Sequence, residues 1–195
     1  MKKINNWDKQ QAVTQREQLP VGGYVAKIMG AEEKKYGFGN MLWVSVDIAE
    51  GEYANYYAED YRSQDREDKK WHGVVRLFVP KDDGSEKDEW TKKSFKSFTN
   101  AVEDSNSGYS WDWDETKLKG KEIGVLVRNE EWENTETGKS GWKTQPFMFI
   151  ASDDARQGNY SEPKDKPLKN KQTVPAQSTN QGFADMPIDD DLPFI

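Results

Sequence analysis

The side chains best placed to do chemistry in this chain are aromatic and basic. It carries eight Trp, eight Tyr and eight Phe, 12% of residues in a chain only 34% hydrophobic. Rings that stack on bases beside cations that meet phosphates are what sequence-tolerant binding of single strands uses, each stacked base contributing ~1–3 kcal/mol. Several neighbourhoods combine the two. Arg76 and Phe78 lie on the strand face opposite Val75, Leu77 and Val79, close to Trp71 and to Arg62, Arg66, Lys69 and Lys70. Trp43 and Lys27 fall on non-core faces of alternating runs; Arg128 shares a face with Trp132, and Lys143 with Phe147. These residues are the candidate DNA contacts: Trp43, Trp71, Phe78, Trp132 and Phe147 for bases, the eight cations for phosphates. The competing reading is half-buried packing for the tryptophans and plain solvation for Arg62 to Lys70, where Asp65, Glu67 and Asp68 are interspersed.

Other chemistries find less support. With no cysteine and the single His72, thiolate metal sites, cysteine nucleophiles and multi-histidine metal sites cannot be built from this sequence. Carboxylate pairs at Glu32-Glu33, Asp82-Asp83, Glu103-Asp104 and Asp112/Asp114 could serve a magnesium-dependent nuclease, but 35 acidic residues produce such pairs by chance. Gly37-Phe38-Gly39 lacks the third glycine and the strand-to-helix setting of a dinucleotide fingerprint. The expectation is a binding protein with no cofactor, no metal and no catalytic residue.

What must position the rings is a set of strands. Tyr24, Ala26 and Ile28 alternate with Val25, Lys27 and Met29; Leu42, Val44, Val46 and Ile48 alternate with Met41, Trp43, Ser45 and Asp47. Trp71 to Pro80 predicts a third strand. Phe95, Phe98, Ala101 and Val102 fit one face of a helix over 94–103. Ile123 to Trp132 and Trp142 to Ala151 read as a hairpin closed by Asn134 to Gly141. Strand, strand, strand, helix, strand, strand is the order of an oligonucleotide-binding (OB) barrel, a five-stranded Greek key with one helix. The predicted fold is therefore mainly β, an OB-like barrel with one helix and a disordered C-terminal tail.

Charge divides the chain further. The net charge of −7 argues against a polyanion partner. Yet residues 1–150 hold 23 basic and 27 acidic side chains, and residues 185–195 hold no basic and four acidic ones. All eight tryptophans precede Lys143. The predicted division is a binding domain over 1–151, a flexible polar linker over 152–184 without core contacts, and an acidic tip over 185–195. Asp189, Asp190 and Asp191 repel one another and cannot fold alone. Leu192, Pro193 and Phe194 after them suit a pocket with a basic rim on another protein.

That tip, Asp189-Asp190-Asp191-Leu192-Pro193-Phe194, resembles the acidic C-terminal peptide of bacterial single-stranded DNA-binding proteins. One residue departs from their pattern, because Ile195 follows the Phe that usually ends such chains. The body, with LPVGGYVAKI and LKGKEIGVLVRNEEW, more loosely resembles phage and prophage proteins found among replication and recombination functions. The resemblance implies an OB domain that coats single-stranded DNA in replication, recombination and repair, and a tip that recruits the enzymes of those processes. It also implies a cytoplasmic protein of a bacterial host cell, with homo-oligomerisation possible. The alternatives are a protein-only adaptor or decoy acting through the tip, and the nuclease. No apolar run reaches the length of about 18 residues that a spanning helix needs.

Overall fold

The alternation of Leu42, Val44, Val46 and Ile48 becomes a strand whose inward side chains are all but fully buried. In the computed structural model, which describes residues 17–168, the chain forms five strands. They are β1 (Gly22–Tyr36), β2 (Gly39–Ile48), β3 (Val74–Phe78), β4 (Glu122–Asn134) and β5 (Lys139–Ile150), with helices α1 (Tyr56–Ser63), α2 (Glu86–Ser105) and α3 (Ser152–Gln157). All pairings between the strands are antiparallel, in the order β3-β2-β1-β4-β5. The fold is mainly β, but the predicted single helix is joined by two others.

β1 is long because it serves two partners. Its first half pairs with β4, Gly22 opposite Val127 to Lys27 opposite Glu122, and its second half with β2 as far as Tyr36 opposite Gly39. A bulge between Ile28 and Gly30 separates the halves, and the extra residue increases the local bend and twist of the strand.

The expected barrel is not closed by hydrogen bonds. β3 and β5 are the two edges of one open sheet, and no ladder joins them among the described residues. Two features of the sequence account for this. β3 is only five residues long, and Pro146 in β5 has no N–H to donate to a further strand, which suits it to an edge. The two edges nevertheless face each other across a seam, lined by Val74 and Val75 on one side and Gln145, Pro146 and Phe147 on the other.

α2 covers one end of the seam. It runs further than the predicted 94–103 because Ser85 caps it by accepting from the Asp88 N–H at 3.2 Å. Glu86, Asp88 and Glu89 in its first turn also suit the positive end of the helix dipole. These early turns carry little apolar periodicity. Further on, Phe95, Phe98, Ala101 and Val102 are buried as their spacing predicts, and Phe98 meets Phe149 of β5 with ring centroids 5.1 Å apart. Each such phenylalanine contributes roughly 1.5–3 kcal/mol by leaving water.

The chain beyond Ser152 was expected to be linker; it packs instead. Arg156 of α3 pairs with Glu50, Glu122 and Asp153 at 2.7 to 2.8 Å. The Gly23 N–H donates to the Tyr160 hydroxyl at 2.8 Å, and a Cβ on Gly23 would lie 2.4 Å from that ring, so a glycine is required there. Pro163 is buried. Lys166 then bridges Glu130 of β4 in parallel, donating to Asn129 O and accepting from Glu131 N, both at 2.9 Å. Composition missed this because main-chain groups make the bridge and polar side chains do not oppose it. The tip, and the predicted linker from residue 169 onward, lie outside the described residues. Among the described residues no helix is long and apolar enough to cross a membrane.

Candidate nucleic-acid interface

The register of the sheet assembles its outward face row by row. Trp43 stands between Glu32 of β1 and Arg76 of β3; Met41 stands between Lys34 and Phe78; Ser45 stands between Gly30 and Val74. Across the seam, Arg128 opposes Gln145, Glu130 opposes Lys143 and Trp132 opposes Gly141. Two adjoining cavities run over this face. One of about 740 Å³ lies on β1, β2 and the segment before β3, and includes Lys34, Trp43, Lys70, Trp71 and Arg76. The other, of about 240 Å³, fills the seam and includes Arg128, Phe147 and Lys166. Val74, Arg76, Lys143 and Gln145 line both, so the two form one groove.

The charge of this groove is opposite to that of the chain. Its lining holds six basic side chains, Lys34, Lys70, Arg76, Arg128, Lys143 and Lys166, against the two acids Glu32 and Glu130. Of the six, Lys34 pairs with Glu32 at 3.4 Å and Arg128 with Glu130 at 2.9 Å. The other four make no ion pair among the described residues. A concave surface lined by one sign of charge concentrates the field and draws polyanions.

The aromatics of the groove are held by these cations. The Lys34 ammonium is 4.1 Å and the Arg76 guanidinium 4.2 Å from the centroid of the Trp43 ring. Arg128 lies 4.4 Å from the Phe147 centroid. Cation–π contacts are worth ~0.5–1 kcal/mol when exposed and ~2 or more when desolvated. The Trp43 Nε1 atom is buried with no hydrogen-bond partner. Trp71 is fixed differently, its Nε1–H donating to Val46 O at 3.0 Å and its ring 5.9 Å from that of Tyr61.

Of the residues predicted from sequence, Trp43, Trp71, Phe147, Lys70, Arg76, Arg128 and Lys143 come together in the groove. Phe78 lies on the same face but lines a smaller cavity of about 110 Å³ with Phe38 and Lys81. Trp132 sits further out on the β4–β5 hairpin, its ring over Gly141 and partly exposed. Lys27 lies on the far side of the β1 bulge, opposite Asp47 and Glu122, and lines neither cavity. Arg62, Arg66 and Lys69 are exposed outside the groove, Arg66 held by Asp68 at 2.9 Å and Lys69 donating to Arg62 O at 3.1 Å. Sequence reasoning missed Lys34 and Lys166, and also the Phe38 ring, which stacks on Tyr36 at 5.2 Å in the β1–β2 turn. An aromatic between Gly37 and Gly39 was the available signal for the last.

Most members of the carboxylate pairs are otherwise engaged. Asp82 holds Lys92, Asp112 and Asp114 hold Lys117, and Glu103 accepts from the Trp111 N–H at 2.8 Å. No three carboxylate or imidazole groups come together as a metal site among the described residues. His72 Nδ1 lies 2.7 Å from Asp60 Oδ2 on the surface. No protein-family model matches the chain, and no curated protein matches it.

Proposed function

We propose that the protein binds single-stranded DNA without sequence preference along this groove, and that its acidic C-terminal tip recruits replication, recombination and repair proteins. The observation that supports the first part is the segregation of charge: a groove with six cations and two anions, floored by aromatics, on a body that is acidic overall. Phosphate binding depends on local cations and the counterions they release, so the sign of the whole chain does not oppose it. The groove is also lined by no base-reading constellation of amides, which fits stacking and charge rather than direct readout.

The strand order supports an OB-like reading. With β3 and β5 as facing edges, the strand order is compatible with a five-stranded, partly open barrel, and in such barrels the outer face over the second and third strands and the flanking hairpin loops bind oligonucleotides. The recruiting role rests on the sequence of the tip and its resemblance to bacterial single-stranded DNA-binding proteins.

Titration with oligothymidylate and with duplex of equal length tests the reading. Tight binding of the single strand, with quenching of tryptophan emission and a steep loss of affinity with salt, is the expected outcome. Equal affinity for duplex would make the groove a general polyanion site rather than a single-strand one, and absence of quenching and of a gel shift at low salt would leave the protein-only adaptor in its place. Deleting residues 185–195 should tighten DNA binding at low salt, since the aspartates mimic a short phosphate run, while abolishing capture of replication proteins; unchanged affinity would count against a tip that competes for the groove.

A further inference from the structure

Resting on the single-strand reading above, one feature of the groove separates what meets phosphate from what meets base. Trp43 was expected to be a stacking platform. Its ring is instead approached by Lys34 from β1 and by Arg76 from β3, the strands on its two flanks, at 4.1 and 4.2 Å. Two cations at that range, one from the strand on each side, already occupy the ring that a base would need. The buried Nε1 agrees with a ring wedged between its neighbours.

We propose that Trp43 stacks no base: it seats Lys34 and Arg76 as a two-cation clamp for the backbone phosphate, and the bases turn to the other rings of the face. Three considerations carry this. A base reaching Trp43 would have to displace a cation from the ring, exchanging one contact for another of similar strength. That displacement would also move the charge away from where the backbone passes. Long Lys and Arg side chains otherwise lose rotamer freedom on binding an anion, and a ring that already holds them removes part of that cost. Arg76 is exposed, so its guanidinium can rest on the indole and still donate in-plane N–H groups to phosphate oxygens. Glu32 beside Lys34 supplies a local anion that a phosphate would replace, its pairing being exposed and weak.

Trp43 is thus a positioning residue, and its test needs readouts that a loss of folding alone would not give. Trp43→Phe keeps a ring for both cations; Trp43→Leu keeps bulk and removes the ring. With oligothymidylate, Trp43→Phe should bind within about twofold of the wild type, retain its salt slope, and show an equal or larger fractional quench. Removing an emitter that is not quenched raises the fraction lost from the rest. Trp43→Leu should bind at least fivefold more weakly at low salt, with the slope of log affinity against log salt flattened by about 1.4 if two phosphate contacts are lost from a single strand. Thermal melts of both variants verify that the fold persists. A smaller fractional quench in Trp43→Phe, or an unchanged slope in a folded Trp43→Leu, would overturn the clamp while leaving single-strand binding in place. Failure of the wild type to bind oligothymidylate would overturn the reading beneath it, and the clamp with it.

Discussion

Lys92 on α2 and Arg76 on β3 carry the same charge in opposite company. Lys92 touches three carboxylates, Asp82, Asp88 and Glu89, at 2.8 to 3.4 Å. Arg156 on α3 likewise holds three, and Lys117 holds Asp112 and Asp114. Arg76, Lys70, Lys143 and Lys166 touch none among the described residues, and all four line the groove. The body's excess of acid is therefore not spread evenly: much of it surrounds the cations of the helical side, and four of the six in the groove are left without an ion pair among the described residues. A cation that already has three anionic neighbours has little left to offer a phosphate. Net charge averages over the two regions and hides the one that the proposed binding would use.

The comparison breaks most visibly if the two sides are not separable. Phe98 is 2% exposed and packs between α2 and β5, so Phe98→Ala should cost ~3–5 kcal/mol of stability by transfer and cavity formation. Chemical denaturation would register that loss, while oligothymidylate affinity measured well below the new melting temperature should stay within about threefold. Charge reversal tests the other side. Arg76→Glu with Lys143→Glu changes the groove by four charges and should weaken binding of order 100-fold at low salt, with a flattened salt slope. Lys92→Glu with Lys117→Glu makes the same change of net charge on the helical side and should alter affinity by only a few fold. Equal losses from the two pairs would show that total charge, not its placement, governs binding. Glu32→Gln should have a smaller effect of the opposite sign, raising affinity by about two- to threefold at low salt, because it removes the exposed anion paired with Lys34.

The inward faces of the strands and of α2 could be read from sequence because burial imposes a period: Leu42 to Ile48 at two, Phe95 to Val102 at the helical repeat. The groove was legible only in part, since Trp43, Arg76, Arg128 and Lys143 follow from those same faces once the core side is known. Lys34 was lost because β1 continues two turns of pleat past its last apolar residue, where polar side chains erase the alternation. Lys166 was lost because a main-chain bridge to β4 positions it, and such a bridge leaves no mark on side-chain composition. Closure of the barrel was over-read, as the order of elements is shared by a closed and an open sheet; Pro146 was the residue that bore on it. What charge a cation finds beside it in space is likewise absent from the order of residues, and that is the property in which Lys92 and Arg76 differ.

The carboxylates divide as the cations do, and pH separates them. On the helical side, Arg156 holds the Glu50 carboxyl below its ordinary range, and Lys92 does the same to Asp82. A lowered carboxylate stabilises the fold above its unfolded value and loses that contribution as pH falls through its folded one. Asp47, beneath the outer face on β2, behaves in the opposite way. It is 5% exposed, and burial pushes its carboxyl up, outweighing the N–H groups of Tyr57, Ala58 and Ile48 and the charge of Arg62. A raised carboxyl binds its proton more tightly in the folded state. Its contribution is therefore fully present below the unfolded value of about 4 and is lost as pH rises through the folded value above it. Asp47→Asn should remove that one component, because an amide oxygen can still accept from Ile48 N and Tyr57 N, now at 3.0 and 2.9 Å, and does not ionise. Melting temperatures of the two proteins from pH 3 to 8 should draw apart in favour of Asp47→Asn as pH rises from about 4, by a few degrees at most. A gap that stays constant across that range would mean that Asp47 ionises as freely in the folded protein as in the unfolded chain, its N–H donors offsetting burial, and a gap that closes as pH rises would mean that they outweigh it.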